Sequence, residues 1–304
     1  MAKVTVRVPA KVNLSLGVGR ARPDGYHALA TVYQAVDLHD ELRISRREDG
    51  EVSVTVHSEI DLPEGARVPE GDDNIAVRAA KLLRDRIGAD HLGADISIRK
   101  VIPVAGGMAG GSADAAATLV GCNELWGGGL SRLELEPLAA ELGSDVPFLL
   151  HGGNAIGGGR GETISPILAR GSYHWVFATA REGLSTAAVY AEFDRLNPNG
   201  VIEPEVPDDL LTALRTGDAH LLGKSLTNDL TDASLSLRPE LADTLKVGLE
   251  AGALGALISG SGPTTVFLVA SEEHGLDVSM ALASVASSAD VIQSRGPVTG
   301  ARLI

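Results

Sequence analysis

Apolar and polar residues alternate along 3–8 and again along 13–18, a period of two that predicts strands with one buried face. Further β-rich runs predict strands at 31–36, 41–45, 51–57 and 94–98, and NIAVRAAKLLRDRIG between the last two carries the 3.6-residue period of a helix. SADAAATLVGCNELWG, built of helix formers and stopped by the glycines at 127–129, predicts a second helix, and SRLELEPLAAELG a third. After GSDVPFLLHGG, the glycine-rich run 152–161 reads either as a domain junction or as a turn inside one sheet. Beyond it come strand HWVFATA, helix STAAVYAEFDRL, a polar proline-bearing segment, helix RPELADTLKVGLEAG, two strands within GALISGSGPTTVFLVA, and a closing helix and strand. This order is mixed α+β, and its second half suits a ferredoxin-like layer of helices on one face of an antiparallel sheet.

A length of 304 residues leaves room for two cores, so the chain is expected to divide into domains 1–160 and 161–304. The net charge of -14 opposes wholesale nucleic-acid binding, and any anionic ligand must find a local basic pocket. Cys122, the only cysteine, has no disulfide partner and completes no zinc site, which fits a reducing, cytoplasmic setting. The first residues alternate instead of building a signal core, and the most apolar stretch is broken by Gly and Pro, so neither a secretory leader nor a membrane partner is expected. Oligomeric state is not legible.

PVAGGMAGGSADAAATL, residues 103–119, places a glycine cluster directly before a helix. Gly106 and Gly111 have Walker A spacing, but Ser112 stands where the lysine belongs; a G-x-G-x-x-G fingerprint fails at Met108 or Ala109. What remains is a loop whose backbone N–H groups converge at a helix start and hold phosphate, or a tight strand-to-helix turn with no ligand.

Three stretches in order, PAKVNLSLGVGRARPDGYH, PVAGGMAGGSADAA and SGSGPTTVFLV, resemble the three motifs of the GHMP kinase superfamily. The first, with its R-x-D-G-Y-H, resembles the 4-diphosphocytidyl-2-C-methyl-D-erythritol kinases within it. The resemblance implies a two-domain fold, a ribosomal-protein-S5-like ATP domain followed by a ferredoxin-like domain. It also implies ATP-dependent phosphorylation of the C2 hydroxyl of 4-diphosphocytidyl-2-C-methyl-D-erythritol, a step of non-mevalonate isoprenoid precursor synthesis, with Mg2+ expected and no dedicated protein cage for it.

By this resemblance Asp145 is the catalytic base, with Lys11 beside it to keep it ionised and to offset charge on the moving phosphate. The ATP site is expected at Asn74, Pro103, Val104, Ala105, Gly106, Gly107, Met108, Ala109, Gly110, Gly111, Ser112 and Ala113, with Lys100 supplying the cation a Walker lysine would give. Asn13, Tyr26, His27, Thr186 and Tyr190 are expected to bind substrate, the aromatics by stacking on and reading cytosine. Motif 259–263 is expected to support the first loop. The loop departs from the commoner G-L-G-G-G-S-S at Ala109 and Ala113, losing a glycine and a hydroxyl. Ordinary structural duties compete with these roles: helix capping for Asp145 and Asn74, a strand end for Lys11, turn packing for Tyr26 and His27, a buried helix face for Tyr190. A related kinase for homoserine, mevalonate or galactose, or a non-catalytic nucleotide-binding regulator, are the other functional readings.

Overall fold

A computed structural model of the chain describes residues 2–60, 68–285 and 287–304. The first half runs β1 (Lys3–Ala21), β2 (His27–Arg47), β3 (Val52–Ser58), α1 (Ile75–Ile87), β4 (Gly93–Lys100), α2 (Gly110–Leu125), α3 (Arg132–Leu142), α4 (Val146–His151), β5 (Asn154–Gly158) and β6 (Thr163–Pro166). The second runs β7 (Tyr173–Ala180), α5 (Thr186–Leu196), α6 (Asp208–Thr216), α7 (Ala219–Ser225), β8 (Thr227–Asn228), α8 (Thr231–Leu237), α9 (Leu241–Glu250), β9 (Gly255–Ile258), β10 (Thr265–Val269), α10 (Glu272–Ala283), β11 (Ser288–Gly296) and β12 (Arg302–Leu303).

The four strands expected over 3–45 are two long ones. β1 and β2 pair antiparallel along most of their length, with register shifts between Pro9 and Ala10, between Asn13 and Ser15, and between Val18 and Ala21. Proline has no N–H for the ladder, and an irregularity at that point bends the strand without ending it. Lys11 and Asn13 lie between the first two shifts.

The sheet continues in the order β12-β1-β2-β4-β3, with β5 on β2, β6 on β5 and β8 on β1. Helix α2 is buried along most of its length against this sheet. Its small residues permit that approach: a Cβ on Gly121 would stand 2.5 Å from Ile44 Cδ1 and 2.9 Å from Val6 Cγ2. The run 152–161 proves to belong to a hairpin, since Gly158 pairs with Thr163. A junction between 160 and 161 therefore falls in the hairpin's turn, and β6 stays with the first sheet.

β7, β9, β10 and β11 form a separate antiparallel sheet in the order β11-β7-β10-β9, the 4-1-3-2 arrangement of a ferredoxin-like layer. Val176, Ala178, Phe267 and Val269 of this sheet share a core with Val278 and Leu282 of α10, with Leu245 and Val247 of α9 packed against it. The polar segment after α5 is more ordered than its composition predicts: α6 seats Leu210, Ala213 and Leu214 in the large first core. β8 and β12 then return to β1, so the second half contributes two strands to the first sheet. Among the described residues no helix is long and apolar enough to cross a membrane.

Candidate active site

Lys11 and Asn13 point the same way from β1, as residues two apart on a strand must. Lys11 Nζ donates to Asn13 Oδ1 at 2.6 Å, Asn13 Nδ2 donates to Thr31 Oγ1 at 2.8 Å, and Thr31 Oγ1 donates to the Ser15 carbonyl at 2.6 Å. This chain of bonds fixes a lysine whose side chain is only 5% exposed and leaves it 3.6 Å from Asp145 Oδ2. Asp145 occupies the N-cap position of α4, yet its side chain makes no capping bond. The capping role that competes for an aspartate here is not filled, and the carboxylate stays partly open beside the ammonium. Tyr33, which the sequence did not single out, forms the floor. Lys11 Nζ lies 5.7 Å from its ring centroid, and burial, then the Asp145 charge, hold its phenol well above the usual range.

The glycine loop approaches this pair from below. The Lys11 backbone N–H donates to the Met108 carbonyl at 3.3 Å. Met108 and Ala113 turn their side chains into the core, so only their backbones face the loop. Ala109, at φ 61°, starts α2 without a side-chain cap, which leaves the first-turn N–H groups of Gly110, Gly111 and Ser112 available to an anion. Ser112 Oγ lies 3.9 Å from the point where a Cβ on Gly143 would stand, placing it next to the turn that carries Asp145. The third motif clasps the loop: Ser259 Oγ donates to the Gly107 carbonyl at 3.0 Å. A Cβ on Gly107 would meet the Ser259 carbonyl oxygen at 1.9 Å, so only glycine fits. Asn228 holds the motif in turn, donating to the carbonyls of Ile258 and Gly260 at 2.7 Å each. Pro103, Val104, Ala105 and Gly106 line a cavity of about 230 Å³ whose far wall is Thr179, Arg181 and Asp290.

Two expected nucleotide contacts are engaged elsewhere. Lys100 is not a free cation for phosphate: it is 2% exposed, and its ammonium donates to Asp40 Oδ2 at 2.5 Å, Asp114 Oδ2 at 2.7 Å and the Gly110 carbonyl at 2.9 Å. Three donors are all an ammonium has. Asn74 caps α1 by accepting from the Ala76 N–H at 2.8 Å and donates to the Pro69 carbonyl at 2.8 Å.

Among the residues expected to bind cytosine, His27 and Tyr190 come together, with ring centroids 4.8 Å apart. Burial, then the Asp145 charge, push the Tyr190 phenol up to about 12. Tyr26 is half exposed and carries the Arg160 guanidinium 4.8 Å from its ring centroid. Thr186 exchanges a hydrogen bond of 2.9 Å with Ser261 Oγ, joining the start of α5 to the third motif. Asp194, also missed in the sequence, accepts from His27 Nε2 at 2.9 Å. No pattern marks Asp194 or Tyr33, because each matters through a partner distant in the chain.

The model of the GHMP kinases N terminal domain matches residues 74–153, and that of the GHMP kinases C terminal domain matches 210–287. The chain is 53% identical to 4-diphosphocytidyl-2-C-methyl-D-erythritol kinase of Thermobifida fusca (strain YX), covering 99% of this chain and 98% of that one. It is 49% identical to the Cutibacterium acnes (strain DSM 16379 / KPA171202) protein of the same name, covering 99% and 97%. A crystal structure of a 4-(cytidine 5'-diphospho)-2C-methyl-D-erythritol kinase superposes with a TM-score of 0.76 at 29% identity, over 96% of this chain and 98% of that one. L. major mevalonate kinase, at 17% identity and a TM-score of 0.75, shares the fold. The chain belongs to the 4-diphosphocytidyl-2-C-methyl-D-erythritol kinase family of the GHMP kinases.

Proposed function

We propose that this protein transfers the γ-phosphoryl group of ATP to the C2 hydroxyl of 4-diphosphocytidyl-2-C-methyl-D-erythritol, giving the 2-phosphate and ADP. The observation that carries the reading is the Asp145 carboxylate, uncommitted to capping and 3.6 Å from a buried lysine beside the glycine loop. Asp145 takes the hydroxyl proton, and Lys11, aimed by Asn13, keeps that carboxylate charged and offsets charge on the moving phosphoryl group. The N–H groups from Gly106 to Ser112 hold the ATP phosphates. Ser112 Oγ would contact a phosphate linked to Mg2+, and the ion, held mainly by the ATP phosphates, would neutralise their charge during transfer. Tyr26, His27 and Tyr190 hold the cytosine, while Asn13 and Thr186 reach the methylerythritol and diphosphate ends. The buried Cys122 thiol, pushed up by burial, fits a reducing cytoplasm.

The test is ADP release with ATP and Mg2+, comparing the cytidyl substrate with the same alcohol lacking its cytidyl group, homoserine and mevalonate. Selective turnover of the cytidyl compound is expected; turnover of another alcohol in its place refutes the assignment. Asp145→Asn is expected to lower kcat by roughly 10²–10⁴, the usual worth of a positioned base, with ATP affinity within about threefold.

A further inference from the structure

We infer that Asp194 is a positioning residue for base recognition: it fixes the tautomer of His27, so that the ring offers cytosine an acceptor and discriminates against uracil. The inference rests on the cytidyl reading above and assigns a role to a residue outside the expected site.

Helix α5 sets the geometry. Val189 and Phe193 bury one side of α5 with Leu16 and Val18 of β1, which fixes the helix's rotation. Tyr190 and Asp194 are four residues apart and so share a neighbouring face. That face meets His27, at the first position of β2, with the Tyr190 ring 4.8 Å away and the Phe193 ring 6.1 Å away at its edge. The His27 side chain is 7% exposed, and Asp194 Oδ1 lies 2.9 Å from its Nε2.

An ionised carboxylate only accepts, so the hydrogen in this bond belongs to Nε2. In the neutral ring Nδ1 is then the lone-pair nitrogen, and no hydrogen bond from the protein to Nδ1 occurs among the described residues. A base edge placed against it finds an acceptor. Cytosine presents an exocyclic amine, a donor, where uracil presents a carbonyl oxygen, a second acceptor. The first pairing is a hydrogen bond and the second sets two lone pairs against each other, so the ring selects by mismatch as well as by attraction. Without Asp194 both tautomers are open to the ring, and the preference weakens. Asp194 never touches the base in this account; it acts through the histidine, as a second carboxylate does behind many functional imidazoles.

The experiment compares wild type, Asp194→Ala and Asp194→Asn on the cytidyl substrate and on its uridyl analogue, with 15N NMR of the His27 ring nitrogens in the substrate-free protein. Asp194→Ala is expected to raise KM for the cytidyl substrate about tenfold with a much smaller change in kcat, leave KM for ATP unaltered, and lower the cytidyl-to-uridyl ratio of kcat/KM about tenfold. The NMR signals should report Nε2–H in wild type and a tautomer mixture in the alanine variant. Asp194→Asn, whose amide oxygen accepts the same N–H, should restore most of the discrimination. An unchanged discrimination ratio or an unchanged tautomer in Asp194→Ala overturns the inference. If wild type fails to use the cytidyl substrate at all, the proposed function falls and this inference with it; normal wild-type turnover with an indifferent Asp194→Ala variant removes only the inference.

Discussion

Replacing Lys100 by Met separates two jobs this lysine could have. If it were a phosphate ligand, the loss would weaken ATP binding and leave the fold intact. The structure instead buries its ammonium between Asp40, Asp114 and the Gly110 carbonyl, joining the interior of β2 and the end of β4 to the start of α2. Asp40 has further support, since its Oδ1 accepts from the N–H groups of Val101 and Ile102 at 2.6 and 2.9 Å. Asp114 Oδ1 has no partner among the described residues. Burial, only partly offset by Lys100, accordingly pushes Asp114 up; for Lys100, burial pulls down but Asp114 and Asp40 outweigh it and the net direction is up. The ammonium is therefore the group that makes both buried carboxyls tolerable.

Removing one partner of a buried ionic cluster costs about 3–5 kcal/mol, because the remaining charge has no water to turn to. At roughly 2–4 °C per kcal/mol for a domain of this size, Lys100→Met should lower Tm by on the order of 6–20 °C. Asp114→Asn provides the contrast. Its side chain keeps an acceptor for Lys100 and sheds a charge that burial disfavours, so its cost should stay below about 1 kcal/mol. Calorimetry on the three proteins measures both. A Tm shift under about 2 °C for Lys100→Met, or a larger loss for Asp114→Asn than for Lys100→Met, refutes the structural assignment of Lys100.

Gly107→Ala should destabilise the fold by at least about 1–2 kcal/mol and raise KM for ATP, because it adds a clash with the Ser259 carbonyl to a φ of +74°; a neutral denaturation midpoint would contradict this. Ala109→Gly is expected to be neutral or to stabilise by up to about 1.5 kcal/mol: an alanine at φ 61° carries a left-handed cost of roughly 1–2 kcal/mol, against about 0.5–1 kcal/mol of added chain entropy for glycine. Urea unfolding decides it, and a loss above 1 kcal/mol would show that the Ala109 methyl packs productively. The pH dependence follows from Tyr190, whose folded-state value of about 12 lies above that of an unfolded tyrosine near 10. Its contribution is full below pH 10 and is lost as pH rises from about 10 to 12. Tyr190→Phe should flatten that alkaline limb of Tm against pH; an unchanged slope counts against the burial of the phenol.

The parts of this molecule that sequence made legible are those encoded by neighbouring residues. Alternation over 3–8 and 13–18 announced strand, glycines before an alanine-rich run announced a helix start, and GSDVPF placed Asp145 at one. Alternation alone could not show that two predicted strands were one, because a bulge at Pro9 interrupts the pattern without interrupting the pairing. Lys100 was misread for a related reason. Its position just before the loop suggested a phosphate contact, while the residues that decide its role, Asp40 and Asp114, stand 60 and 14 positions away and bear no local mark. Tyr33 and Asp194 were missed likewise: one is a strand aromatic, the other a helix carboxylate, and only the fold puts them against Asp145 and His27.

The same distinction bears on how the loop keeps its shape. Its own sequence gives freedom, with Gly107 at φ +74° and two alanines, Ala105 and Ala109, held at φ 54° and 61° where L-residues pay a steric penalty. A segment with that composition would not hold its N–H groups convergent unaided. The restraint comes from three distant places: Ser259 on the Gly107 carbonyl, the Lys11 N–H on the Met108 carbonyl, and Lys100 on the Gly110 carbonyl. Each takes a carbonyl, and in a trans peptide the N–H edge lies on the opposite side. Ser259 belongs to the second sheet's β9–β10 turn and Lys11 to β1, so the cradle is completed only when the two sheets are docked. The loop proposed to hold phosphate without a Walker lysine thus depends on tertiary contacts for an order that its own residues resist, and substitutions at Ser259 or Lys100 should reach ATP affinity without touching ATP.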